Sequence, residues 1–118
     1  MPPRRRVDPA TGVAALAAWD ADPGAADREV VATAVRHTLA ELAEHHPAHA
    51  VEVRVPPVGA VQCVEGVRHR RGTPPNVVET DPATWLALVT HRLTWAEALD
   101  SGALTASGTH ADISALLA

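Results

Sequence analysis

The hydrophobic positions change their period along the chain, and each change marks an element. Between Ala26 and His45, the residues Val30, Val31, Val35, Leu39 and Leu42 recur at steps of three and four, with Ala34 and Ala43 between them. That spacing gathers them on one stripe of an α-helix. Asp27 and Glu29 stand at the positive end of this helix and His45 and His46 near its negative end, as the helix dipole favours. Pro47 stops it. A period of two follows. Val51, Val53 and Val55 face one way and Glu52 and Arg54 the other, which predicts a strand over 50–55 with one buried face. Pro56-Pro57 cannot donate to a ladder and marks a corner or an edge. Residues 58–65 read as a second strand, with Val61 and Cys63 on one face, and 66–75 as a polar loop.

From Asn76 onward the boundaries are written in side-chain chemistry. Residues 76–80 predict a third strand. Asp81 can cap a helix that has Pro82 at its first position, where the missing N–H costs nothing. Thr94-Trp95-Ala96-Glu97 has the spacing of a capping box that opens a second helix. Gly102 stands where a left-handed residue ends it. Residues 104–107 are a fourth strand, and 112–117 a closing short helix. Upstream, residues 1–8 form an arm. Asp8-Pro9 opens a short helix through Val13, Leu16 and Trp19, and Asp20 to Gly24 is a turn cluster. The order predicts an α+β fold: a small, mostly antiparallel sheet covered by helices on one face.

The C-terminal order of elements resembles that of sterol carrier protein 2 domains. The residues that carry the likeness are Asp81, Trp85, Leu86, Leu88, Leu93, Trp95, Ala98, Leu99, Ser101, Gly102, Leu104, Ala106, Gly108 and Leu116. With residues 55–63 and 71–76, the likeness extends over roughly 27–117 and is closest to a short bacterial branch of the superfamily. It implies an N-terminal arm and short helix over 1–25 and a sterol-carrier-like domain over 26–118. It also implies a lipid tunnel closed by the last helix. Trp85, Leu88, Trp95, Leu99, Leu104 and Leu116 are the candidate lining. By periodicity alone these residues serve equally to cover the sheet. The chain departs from the long carriers in its short sheet region, its Pro-Pro corners at 56–57 and 74–75, and a lining with no aromatic residue but Trp. A shorter sheet spans less volume, which leaves less room for a ligand.

Length and composition narrow the picture further. A chain of 118 residues makes one domain with one core. Phe and Tyr are absent, so Ala, Val, Leu and three Trp must build that core. A net charge of −4 argues against a general nucleic-acid binder. All ten basic residues are Arg, a mark of GC-rich coding rather than of function. The single Cys63 forms no internal disulfide and reads as a small hydrophobe in a strand. No apolar run of the roughly 7–15 residues a signal peptide needs follows the N-terminal arginines, which places the protein in the cytoplasm.

No pattern in the chain carries catalytic chemistry. Phosphate-cradling glycine loops, serine elbows and paired-carboxylate motifs are missing, so the reading is not an enzyme and names no cofactor. His45, His46 and His49 cluster at a helix end but lack zinc-ligand spacing, and no metal is assigned to them. Apolar lining without fixed polar groups suits a carried ligand such as a lipid, a sterol-like molecule or an acyl chain. Such a ligand is held by roughly 25 cal/mol per Å² of buried apolar surface. The family likeness supplies a second reading. Bacterial thiol-dependent isomerases and transferases join a metal-binding helical bundle to a domain of this kind. A lone domain could then be an accessory module for such an enzyme, with no pocket of its own. Arg68, Arg70 and Arg71 form a basic run within the domain, a solvated loop or a contact for an anionic membrane surface. Basic residues near such a surface gain about 1 kcal/mol each, which gives weak, salt-sensitive docking. Anionic liposomes are expected to retain the protein at low salt, and replacing the three arginines by Ala to abolish retention in a flotation assay. Equal retention of the two forms would exclude the contact.

Overall fold

The computed structural model describes residues 7–46, 51–63 and 76–117, and for Gln62 and Cys63 it describes the backbone. Pro47, His49 and the loop with Arg68, Arg70 and Arg71 lie outside the described residues. The helices begin at the capping residues. Helix α1 (Pro9–Ala21) starts where the Asp8 carboxylate accepts from the N–H groups of Ala10 and Thr11, at 3.1 and 3.3 Å. A 3-10 turn (Pro23–Ala25) leads to α2 (Arg28–His45), capped by Asp27 accepting from the Val30 N–H at 2.9 Å. The sheet strands β1 (Val51–Val55) and β2 (Gly59–Cys63) follow. Then come β3 (Val77–Thr80), α3 (Pro82–Val89), α4 (Trp95–Ser101) and β4 (Leu104–Ser107). The closing helix is shorter than its pattern predicts: only Ser114–Leu117 coils, as a 3-10 turn. No helix among the described residues is long and apolar enough to cross a membrane.

The sheet order is β2-β1-β3-β4. It is mixed rather than simply antiparallel: β1/β2 and β3/β4 pair antiparallel, but the central pair β1/β3 is parallel. Alternation of side chains fixes which face is buried, yet it says nothing about strand direction. The register supplies the reason for the parallel pair. Strand β2 ends with Cys63 opposite Val51, and β3 begins with Val77 opposite Glu52, at the same end of the sheet. The chain therefore re-enters beside the start of β1 and runs along it in the same direction.

The two faces differ in chemistry. Val53 is flanked by Val61 and Val78 in register, and Val51, Val53, Val55 and Val78 have essentially no exposed surface. The helices cover this face, with Trp85, Leu86, Val35 and Ala98 fully buried against it in one core. The opposite face carries Glu52, Arg54 and Glu79. There the Arg54 guanidinium lies 2.6 Å from Glu52 and 4.0 Å from Glu79. Half-exposed pairs of this kind order the surface and add little stability.

Helix α1 belongs to the same core. Trp19 is buried, and the Arg92 guanidinium lies over its ring at 5.6 Å while pairing with Asp20 at 2.8 Å. The contact face is not the one its large apolar residues suggest, because Val13 is 59% exposed. Gly12 and Trp19, seven residues and two turns apart, point the same way. Gly12 packs on the buried His37 of α2, so closely that an added Cβ would lie 2.3 Å from the ring. Helix propensity favours Ala over Gly by about 1 kcal/mol, but overpacking typically costs about 1–3 kcal/mol. At this distance the clash wins. Gly12→Ala is expected to lower stability by roughly 1–2 kcal/mol in urea denaturation, and a stabilised variant would show that the two helices do not meet here.

Candidate ligand-binding site

The site is organised by Trp85. Asp81 sets its position: the carboxylate accepts from the Thr84 N–H and from the Thr84 hydroxyl, each at 2.8 Å, and Pro82 fills the first helical place. One turn in, the Trp85 side chain is wholly buried against α2. A buried indole N–H needs an acceptor. Nε1 donates to the Thr38 hydroxyl at 2.8 Å. That hydroxyl spends its own proton on α2, on the carbonyls of Ala34 (2.8 Å) and Val35 (3.0 Å), leaving its oxygen free to accept.

Beside this pair lies a cleft of about 300 Å³, open to solvent. Its walls come from four elements. Leu16 is from α1, Trp85 and Val89 from α3, and Leu116 and Leu117 from the C-terminal turn. Helix α2 supplies Leu42 together with a polar row of His37, Thr38, Glu41, His45 and His46. The Glu41 carboxylate lies 3.9 Å from the His45 imidazole, one turn on. A second, smaller cleft of about 140 Å³ lies on the far side of the C-terminal turn. Leu88, Leu93 and Trp95 give it apolar wall, His91, Thr94 and Ser114 give polar wall, and Leu117 borders it too.

The turn after α3 shapes the smaller cleft. The N–H groups of His91 and Arg92 donate back to Leu88 and Ala87, at 3.1 and 2.8 Å, and His91 takes a left-handed backbone with φ 64°. Glycine is the usual occupant of that position. Thr94 and Glu97 cap each other as the spacing predicts. The backbone N–H of Thr94, with help from its hydroxyl, holds the Glu97 carboxyl below its usual pKa. In the same way the Ser114 N–H, 3.0 Å from Asp112, lowers the Asp112 carboxyl and fixes the entry to the C-terminal turn.

The predicted lining residues separate. Trp85 and Leu116 meet in the larger cleft; Leu88 and Trp95 meet in the smaller one. Leu104 and Leu99 line neither: Leu104 is buried at the start of β4, and Leu99 is 41% exposed on the outer side of α4. Among the described residues, both clefts are bordered by the helical layer and by no sheet residue. Where helices meet the sheet, the described side chains pack in one core. Thr38 was legible in principle, because Ala34, Thr38 and Leu42 continue the stripe of α2 at steps of four. Leu16 and the polar row of α2 gave no such signal, since only the packing of α1 and α3 onto α2 makes them neighbours. Among the described residues, no three His, Cys, Asp or Glu side chains are grouped to hold a metal ion.

A model of a protein family described as bacterial SCP ortholog matches residues 27–118. The chain belongs to that family. No curated protein matches the chain. The matched residues run from the Asp27 cap of α2 to the end and so contain both clefts apart from Leu16.

Trp85 and Thr38 supply the test of this architecture. Thr38→Val keeps the shape and leaves the Trp85 N–H buried without its acceptor, so a loss of about 1–3 kcal/mol is expected. Trp85→Phe in the same background removes the orphaned donor and should cost less than the sum of the two single changes. Additive losses in urea denaturation would show that the hydrogen bond contributes nothing.

Proposed function

We propose that this member of the bacterial SCP ortholog family binds one hydrophobic small molecule, a lipid or acyl chain, and carries it without transforming it. The observation that carries the reading is the solvent-open cleft of about 300 Å³ with Leu16, Leu42, Trp85, Val89, Leu116 and Leu117 in its walls. Ligand pockets span about 300–1,000 Å³, so this one is at the small end. It favours a single flexible chain over a rigid four-ring skeleton. Trp85 and Leu116 are the binding residues retained from the sequence. Leu88 and Trp95 act in the neighbouring cleft, and Leu104 and Leu99 are given no ligand contact. Affinity comes mainly from buried apolar area, which discriminates poorly between homologous chains. That suits a cytoplasmic carrier better than a catalyst. The basic run Arg68, Arg70 and Arg71 would bring the carrier to an anionic membrane surface for exchange.

A second reading rests on a separate observation. Trp85 and Leu86 from the helices and Val53 and Val78 from the sheet have no exposed surface where the two layers meet. A domain with so dry an interior could instead serve as an accessory module of a metal- and thiol-dependent isomerase or transferase. Native mass spectrometry of protein purified from its own cells separates the two. The carrier reading expects one co-purifying lipid per chain, recovered by solvent extraction, and loss of that lipid in Leu116→Trp, which fills the cleft, with little change in melting temperature. A clean apo mass, together with tryptophan fluorescence that ignores added fatty acids, would leave the accessory module.

A further inference from the structure

Among the described residues, Leu117 alone is common to the walls of both clefts. It ends the 3-10 turn in which Leu116 borders the larger cleft and Ser114 the smaller. The turn is anchored at one end. Ala111 and Ile113 are buried in the core, Asp112 holds the Ser114 N–H, and the Leu116 N–H donates to the Ile113 carbonyl at 2.9 Å. Beyond Ile113 the hold weakens. Leu116 and Leu117 are only half-buried, and 3-10 hydrogen bonds have poorer geometry than α-helical ones. The side chain that parts the two spaces is therefore on a loosely held turn.

We infer that Leu117 is a septum that sets the length of the ligand chain. With Leu117 in place, an alkyl chain is confined to the larger cleft, against Trp85 and Leu116. With its side chain removed or swung aside, the two spaces join into a trough nearly half as large again. The added part offers the apolar walls of Leu88, Leu93 and Trp95 to the end of a longer tail. The ligand class this selects is a single-chain amphiphile, such as a fatty acid, whose tail length is read by one leucine. The inference rests on the carrier reading above.

The test titrates the full chain calorimetrically with saturated fatty acids of increasing length, each below its micelle concentration. For the wild type, affinity should rise about fourfold per added methylene until the chain fills the larger cleft, and then level off. In Leu117→Ala the rise should continue over further methylenes, so that the longest acids gain tenfold or more over wild type and the shortest do not. Leu117→Phe, a thicker septum, should level off at the wild-type length or earlier. Melting temperatures show that each variant is folded. A wild type that levels off, with both folded variants levelling at the same length, overturns the septum and leaves the carrier reading standing. A wild type that shows no length-dependent binding overturns the carrier reading itself, and the septum with it.

Discussion

The hydrogen bond from Trp85 Nε1 to the Thr38 hydroxyl joins the two parts of the chain that the rest is built around. Trp85 belongs to the capped helix after β3, and Thr38 to the middle of the long helix before β1. A wholly buried indole is the largest single block of apolar surface in this core, and its one polar atom has to be met inside it. Meeting it fixes how α3 lies on α2. The cleft is the space left where these two helices, α1 and the C-terminal turn fail to close completely, so its existence follows from that angle and not from a hollow in the sheet.

The small residues of the chain explain why the hollow lies there. The sheet face made of Val51, Val53, Val55 and Val78 carries short side chains, and Trp85 and Leu86 pack on it with no exposed surface of their own. Cores pack at near-crystalline density where shapes allow. The helical layer is less uniform. Gly12 lets α1 come close to α2 at His37, and from there on α2 turns His37, Thr38, Glu41 and His45 as well as Leu42 toward the cleft. The outer layer thus departs from close packing where polar side chains of α2 interrupt its apolar stripe.

Much of the fold was legible because it is governed by local chemistry. Asp8, Asp81 and Thr94 each accept backbone N–H groups at the helix starts that their positions predict, and Gly102 takes φ 80° at the end of α4. These are interactions over three or four residues, which a linear sequence contains in full. Strand faces were legible for the same reason, through alternation. The site was legible only in pieces. Trp85 and Leu116 meet, Leu88 and Trp95 meet, but Leu99 points outward, because in a helix of seven residues one apolar side chain can satisfy the stripe and still face water.

The sequence by itself therefore determined which residues cap the helices α1, α3 and α4, which strand faces are apolar, and that helices and strands make an α+β fold. Caps, periodicity and the absence of aromatic residues other than Trp are enough for that. Only the tertiary structure decided that β3 runs parallel to β1, that α1 approaches through Gly12 rather than Val13, and that Leu16, Thr38, Trp85 and Leu116 come together around a cleft. Those outcomes depend on contacts between residues tens of positions apart. Such contacts are set by shape and by the need to satisfy one buried indole, neither of which is written in the spacing of neighbours.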